Sequence, residues 1–239
     1  MRNLSNSINL SNSGDPIYFF YVKLKKILNN GFSPKVLILG FSPNNLYSKN
    51  FYEVPRMKTK LKKYFFMMDL SDLQDIGHHN FTGGYQGLIS TIFYSPRRKN
   101  FWSSSEITNV GIGGYRKLPI VKNGLLERDI SESKTYNASE PDKISLKYFF
   151  KIIELCEQYK IRLIILNTPI HKSQQIKQQK QKEGYNNFIK NLGESIITWD
   201  YSNFELDDRY FYDENHLNEN GASIFSAFIN AKLIRTKKN

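Results

Sequence analysis

An aspartate and a histidine stand three residues apart near the end of the chain, in the sequence Asp213-Glu214-Asn215-His216. In a turn, this spacing lets the carboxylate accept a hydrogen bond from the imidazole and fix its tautomer. The second ring nitrogen can then face a cleft as a general base. A purely structural alternative is that His216 and Asn218 cap the helix that follows. The spacing therefore predicts either an acid–base pair or a helix cap.

Alternating strands and helices are predicted to position this pair. Short apolar runs that end in turn residues predict buried strands at residues 36–40, 161–166 and 196–200. Apolar stripes predict helices at residues 16–30, 142–160, 174–192 and 219–233, and residues 8–14 are predicted to form a short strand and a turn. This alternation favours an α/β domain whose parallel sheet is covered on both faces.

Residues 46–141 depart from this rhythm and are predicted to be a large, ordered insertion in one domain of residues 1–239, whose core comprises residues 7–45 and 142–235. The insertion carries cations in residues 56–63, including Lys60, and in residues 97–99, and aromatic residues follow each of these segments. Such a pattern suits stacking on a polyanion and neutralising it. It equally suits a solvated charged rim.

The composition leaves several partner classes open. The chain has 34 Lys and Arg against 22 Asp and Glu, a formal net charge of +12, so nucleic acid, acidic glycans and anionic lipids all qualify by charge. A Lys- and Asn-rich bias can also reflect genome base composition, and nucleic acid is not the favoured partner. The single cysteine, Cys156, excludes an internal disulfide and a cysteine-rich zinc site.

The beginning of the chain is polar. Met1 is followed by no apolar stretch approaching the roughly 20 residues that span a bilayer. We therefore expect no transmembrane segment and, for the chain as given, a cytoplasmic location. That location stays open if the N-terminus is incomplete.

The segment FYDENHLNENGASIFSAFI, residues 211–229, resembles the terminal block of the SGNH (GDSL) hydrolase superfamily. The match runs through Asp213, His216, Leu217, Asn218, Gly221 and Ala222. The resemblance extends over about residues 142–233, and the N-terminal part matches more loosely. The resemblance implies a flavodoxin-like, three-layer α/β sandwich with a short parallel sheet. It also implies a serine esterase or O-acyltransferase that acts on an acyl ester of a small molecule or carbohydrate, without metal or other cofactor.

The family's remaining catalytic residues can be aligned in two ways. The family contributes a nucleophilic Ser after its first strand, then a Gly and an Asn that form an oxyanion hole. In the first alignment Ser42, in the sequence GFS, is the nucleophile. In the second, Gly14 is the oxyanion glycine and Asn44 or Asn45 is the oxyanion asparagine. The order of elements favours the second alignment, which leaves the first strand and its serine outside the given chain.

A rival hypothesis from another class is a non-catalytic, truncated or degenerate SGNH-like protein that binds a polyanion through its basic segments.

Other motifs carry weaker predictions. The adjacent His78 and His79 are interpreted as loop histidines, because neighbouring residues rarely face one metal ion. The glycines of residues 111–114 are interpreted as a turn rather than a dinucleotide-binding loop. His171 follows a predicted strand, where it is either a substrate contact or a solvated loop histidine.

Overall fold

The structure is a computed structural model, and it describes residues 7–11, 14–47, 60–61, 64–79, 118, 140–193 and 196–236. Elements are numbered in chain order among these residues. The helices are α1 (Ile17–Asn29), α2 (Pro43–Leu46), α3 (Leu70–His79), α4 (Lys143–Gln158), α5 (Lys172–Lys177), α6 (Gln179–Lys190) and α7 (Glu219–Arg235). The strands are β1 (Val36–Gly40), β2 (Arg162–Asn167), β3 (Ile197–Asp200), β4 (Phe211–Asp213) and β5 (His216–Leu217).

The first three strands form a parallel sheet in the order β1-β2-β3. Val36 lies opposite Arg162 at one end of the β1–β2 pair, and Ile164 lies opposite Ile197 in the β2–β3 pair. Strands β4 and β5 form a separate antiparallel hairpin. The predicted α/β class with a short parallel sheet is thus confirmed. Strand β4, which directly precedes the Asp213 turn, belongs to the hairpin and not to the parallel sheet.

Strand β2 contributes side chains to two separate hydrophobic cores. Leu163 and Ile165 pack in the core that contains α1 and α4, whereas Ile164 and Leu166 pack in the core that contains α7. Successive side chains of a strand point to opposite faces, so this division follows from the run of apolar residues. The parallel sheet is therefore covered on both faces.

Aromatic rings fill the core on the α1 and α4 side. Tyr18 of α1 contacts Tyr148 of α4 edge-on, with ring centroids 4.6 Å apart, and both side chains are almost fully buried. Phe41, just after β1, packs on Phe149 at 4.5 Å. Edge-to-face and tilted contacts of this kind add to the stabilisation from buried area. They fix α1 and α4 against the end of β1.

A buried carboxylate attaches Lys60 and Tyr64 to α1. Asp15 accepts hydrogen bonds from Lys23 and Lys60 and from the hydroxyl group of Tyr64. Burial opposes ionisation of Asp15, but the charge of Lys23 and these hydrogen bonds outweigh it and lower the pKa of Asp15. Lys60, a cation of the predicted polyanion-binding segment, is therefore engaged inside the protein.

Helix α3 is attached to α1 and α4 by further ion pairs. Lys25 of α1 contacts Asp69 and Asp72, each at 2.7 Å. Asp75 of α3 accepts hydrogen bonds from Tyr148 at 2.6 Å and from Lys151 at 3.2 Å. At least the part of the predicted insertion within residues 64–79 is thus packed on the core.

Three local predictions were wrong. Residues 7–11 form no strand, and Ile8 is 64% exposed, because no strand among the described residues pairs with them. The polar helix predicted at residues 174–192 is two helices that meet at Gln178, whose φ of −101° and ψ of 10° interrupt the helix. His78 and His79 end helix α3 instead of lying in a loop.

Helix α7 begins with two tightly constrained residues. The buried side chain of Asn218 caps the helix, accepting hydrogen bonds from the N–H groups of Asn220 and Gly221, both at 3.1 Å. Its amide donates to the carbonyl oxygen of Arg209 at 2.6 Å. Gly221 packs against the carbonyl group of Tyr210 so closely that a Cβ atom would collide with it. These contacts set the approach of α7 to the segment before β4.

None of the helices in the described part of the chain is long and apolar enough to cross a membrane.

Gly221→Ala is expected to destabilise the protein by about 1–3 kcal/mol, because the new methyl group forces α7 away from Tyr210. This loss opposes the gain of about 1 kcal/mol in helix propensity when Gly becomes Ala. Urea unfolding followed by circular dichroism measures the difference. Asn220→Ala, an exposed change in the same turn, is the matched control. Equal stability of Gly221→Ala and wild type would contradict the close approach.

Candidate functional site

The hairpin of β4 and β5 holds Asp213 and His216 opposite each other. Nδ1 of His216 lies 2.8 Å from Oδ1 and 2.9 Å from Oδ2 of Asp213. The N–H group of Asn215 also donates to Oδ1 of Asp213, at 2.8 Å. The backbone turn therefore fixes the carboxylate, and the carboxylate in turn orients the imidazole.

Each partner shifts the pKa of the other. Burial opposes ionisation of Asp213, but its hydrogen bond with His216, the charge of His216 and two backbone N–H groups lower the pKa of Asp213 below its ordinary value. The hydrogen bond to Asp213 raises the pKa of His216, and the desolvation that opposes it is weaker. Because the carboxylate accepts a hydrogen bond from the Nδ1–H group, Nε2 is the basic nitrogen of the neutral ring.

The imidazole faces solvent. The side chain of His216 is 61% exposed, and among the described residues no hydrogen-bond partner is found for Nε2. An oriented histidine with an accessible, unpaired nitrogen is the arrangement required for proton transfer to or from a bound molecule.

The turn lies where the carboxyl ends of the parallel strands meet. Asn44, which follows β1, donates from Nδ2 to Oδ1 of Asn215 at 3.5 Å. His171, which follows β2, donates its backbone N–H to the carbonyl oxygen of Glu214 at 3.0 Å. Open α/β sheets bind their ligands at this edge, so the location suits a functional site.

Ser42 and Asn45 serve a structural role at the start of α2. The hydroxyl and backbone N–H groups of Ser42 both donate to Oδ1 of Asn45 at 2.9 Å, as part of a capping box. In the described part of the chain, no hydrogen bond joins Ser42 to His216. Asn44, in contrast, projects toward the 213–216 turn and also accepts a hydrogen bond from Gln178 at 2.7 Å.

Gly14, the other predicted oxyanion residue, is not linked to the 213–216 turn by hydrogen bonds among the described residues. Its φ of +65° is the left-handed conformation that glycine favours, and the next residue is the buried Asp15. No hydrogen bond among the described residues connects Gly14 with the 213–216 turn. The structure thus brings together Asp213, His216 and Asn44, and it engages Ser42 and Asn45 with each other.

The alternative that His216 and Asn218 cap the following helix holds for only one of these two residues. Asn218 is the cap of α7, accepting hydrogen bonds from two backbone N–H groups. His216 makes no capping bond and instead contacts Asp213. Helix capping therefore accounts for Asn218 and leaves the geometry of His216 to be explained.

The expectation that His171 is a solvated loop histidine is wrong. Only 9% of the residue is exposed, and Nδ1 accepts a hydrogen bond from the backbone N–H of Ser173, which makes His171 the cap of α5. Nε2 lies 3.2 Å from Asp208, and the ring contacts Phe211 edge-on. Its position after β2 gave no signal of the contacts with Asp208 and Phe211, because these two residues are distant from it in sequence.

Other reactive groups are remote from this chemistry. Burial raises the pKa of the Cys156 thiol to about 12, so it is a core residue and not a nucleophile. Within the residues that the structure describes, no cluster of three or more His, Cys, Asp or Glu side chains is placed to hold a metal ion. The basic residues 56–59, 62–63 and 97–99 and the glycines of residues 111–114 lie outside the described residues.

A family model that carries no functional description matches residues 121–237. The matched region includes β2, β3 and the hairpin with Asp213 and His216, but not β1. No curated protein matches the chain, and no solved structure matches it.

Titration of His216 tests the ion pair directly. Its ring signal in NMR spectra is expected to titrate above the ordinary histidine value of about 6.5, and Asp213→Asn is expected to return it toward that value. Identical titrations of His216 in wild type and Asp213→Asn would contradict the pairing.

The same pair predicts a pH window of stability. Its full contribution lies between the ordinary Asp and His pKa values, about 3.9 and about 6.5. The contribution is lost as the pH rises through the raised pKa of His216 or falls through the lowered pKa of Asp213. Asp213→Asn should therefore reduce the midpoint of urea unfolding more at pH 5.5 than at pH 9, values chosen on either side of about 6.5.

Proposed function

We propose that this protein is an SGNH-type serine esterase or O-acyltransferase acting on an acyl ester of a carbohydrate or small molecule. The observation that carries the proposal is the pairing of Asp213 with Nδ1 of His216, which leaves Nε2 exposed at the carboxyl edge of the parallel sheet. This is the geometry of the acid–base half of a catalytic triad. The resemblance of residues 211–229 to the SGNH terminal block supports the same function.

The fold gives further support. The strand order β1-β2-β3, followed by the hairpin and α7, is compatible with the last part of a flavodoxin-like SGNH domain. In that arrangement residues 46–141 form the insertion between the first and second strands of the sheet. The order also favours the alignment in which β1 precedes the oxyanion asparagine, and not the nucleophile.

His216 acts as the base in the proposed reaction. Its Nε2 takes the proton of a serine hydroxyl as the serine oxygen attacks the acyl carbonyl carbon, while Asp213 stabilises the imidazolium that forms. The tetrahedral intermediate collapses, and His216 returns the proton to the departing alcohol. Water then resolves the acyl-enzyme in an esterase, and a sugar hydroxyl resolves it in a transferase.

Asn44 is the better of the two candidates for the oxyanion hole. Among the residues that the structure describes, its Nδ2 makes one long contact, 3.5 Å to Asn215, so the group retains a hydrogen to donate to a developing oxyanion. It stands beside the residue that precedes His216. The side chain of Asn45 already accepts two hydrogen bonds from Ser42 and stabilises the start of α2.

Ser42 can be the nucleophile only after a rearrangement. Its hydroxyl group donates to Asn45 and would have to leave that partner and turn to Nε2 of His216. This engagement favours the alternative proposal, a non-catalytic SGNH-like chain that binds a polyanion through basic residues in its insertion. Of those residues the structure describes Lys60, which pairs with Asp15.

Hydrolysis of acetyl and butyryl nitrophenyl esters tests the enzyme proposal. His216→Ala is expected to lower kcat by at least about 10³-fold, because the base is lost. Asn44→Ala is expected to lower kcat by about 10²-fold through loss of an oxyanion donor. The matched Asn45→Ala should lower stability by about 1 kcal/mol through loss of the cap, with little effect on kcat.

A serine-directed fluorophosphonate probe, followed by peptide mapping, identifies the nucleophile in the same samples. Labelling of Ser42 that is lost in His216→Ala supports the first alignment. The second alignment, whose serine lies outside the given chain, predicts that no serine of the chain is labelled. Rates that are equal in wild type, Ser42→Ala and His216→Ala, together with no labelled serine, would contradict the enzyme proposal.

Salt dependence separates the enzyme from the polyanion-binding alternative. Ester turnover should change by less than about twofold between about 50 and 200 mM salt, because the substrate is small and uncharged. Binding of heparin or a single-stranded oligonucleotide through six or more cations should weaken by about 10³-fold over that range. Fluorescence anisotropy measures the binding, and a steep loss of affinity in a protein without esterase activity would favour the alternative.

A further inference from the structure

Glu214, one of the two residues between Asp213 and His216, is buried. His216 has a side chain that is 61% exposed, whereas the neighbouring Glu214 is only 2% exposed. A buried carboxylate requires compensating hydrogen bonds or charges, so its partners determine where the turn can lie. Sequence reasoning assigned Glu214 no role.

Helix α5 supplies those partners. The hydroxyl group of Ser173 donates to Oε1 of Glu214 at 2.8 Å, and Nζ of Lys177 lies 3.0 and 3.1 Å from the two carboxylate oxygens. Ser173 and Lys177 are four residues apart and so share one face of the helix. The backbone carbonyl group of Glu214 accepts a further hydrogen bond from His171.

The residue that caps helix α5 also contacts the segment that leads into the hairpin. His171, its cap, contacts Asp208 before β4 and packs its ring on Phe211 within β4. The helix follows β2 after residues 168–171, so its position is defined by the central strand of the sheet. The pair at the exposed edge is thereby connected to the core through one buried carboxylate.

We propose that Ser173, Lys177 and Glu214 are positioning residues that hold the 213–216 turn in the conformation that aligns Asp213 with His216. Their importance for catalysis rests on the proposed function, but their effect on the pair does not. Loss of any of their contacts frees the turn, lengthens the bond between Asp213 and His216 on average, and weakens the effect of Asp213 on the imidazole.

Two variants test the proposal with different effects on charge. Ser173→Ala removes a hydroxyl group and no charge, and it is expected to lower the pKa of His216 toward its ordinary value. Lys177→Gln removes a positive charge near the turn. By charge alone it would raise the pKa of His216, so a decrease reports loss of positioning.

NMR titration of the full chain, labelled with ¹⁵N in the histidine rings, provides the measurement. His216→Gln identifies the signal, and the ring ¹⁵N shifts report whether the neutral ring keeps its proton on Nδ1. Lys180→Gln, an exposed change on α6, and Glu183→Gln, another exposed change on that helix, are matched controls that should leave the titration unchanged. Circular dichroism establishes that each variant is folded.

The expected result is a lower His216 pKa and a mixed tautomer in both Ser173→Ala and Lys177→Gln. Folded variants in which His216 titrates as in the controls would overturn the proposal, and so would a rise in Lys177→Gln with no change in Ser173→Ala. The titration needs no substrate, so it can succeed where the esterase assay fails, and the two proposals can be rejected separately.

Discussion

The burial of β2 on both faces determines where polar chemistry can lie in this protein. Its side chains alternate between two hydrophobic cores from Leu163 to Leu166, and no polar group fits among them. The first polar side chain after Leu166 is that of Asn167, which donates to Asp200 at the end of β3. Strand β1 is likewise apolar until Ser42. Polar residues therefore collect beyond the carboxyl ends of the strands, where the 213–216 turn also lies.

Much of the fold follows from local sequence patterns. The apolar run at residues 36–40 has the bounds of β1, and the run at residues 161–166 differs from β2 by one residue at each end. Hydrophobic runs between turn residues suffice for such strands because burial on both faces removes polar alternation. The cap of α7 was also visible as an asparagine before a helical pattern.

The errors in the fold arise where local preference did not decide the outcome. Residues 7–11 have a strand-like pattern but no pairing strand among the described residues, and a strand is stable only in a sheet. The break at Gln178 was hidden because glutamine is a good helix former. The backbone turns there between two helices, both of which begin and end with polar residues that give no boundary signal.

In the candidate site, too, contacts between residues near in sequence could be predicted, and contacts between distant residues could not. Asp213 and His216 could be predicted as a pair because a turn of two residues brings them together. Glu214 and Lys177 are separated by 37 residues, as are His171 and Asp208, so their contacts depend on where β2 and β3 end. In the sequence each of these residues looks like an ordinary polar surface residue. Only the tertiary structure distinguishes the buried carboxylate of Glu214 from its exposed neighbours.

Lys177 and Gln178 are adjacent, yet they contact different parts of the candidate site. Lys177 reaches Glu214 in the turn with His216, and Gln178 reaches Asn44 beyond β1. One short stretch of backbone thus supports both the turn that carries His216 and the proposed oxyanion donor, Asn44. Thermal displacement of that stretch as a rigid body carries both groups in the same direction, so their separation varies less than the position of either one.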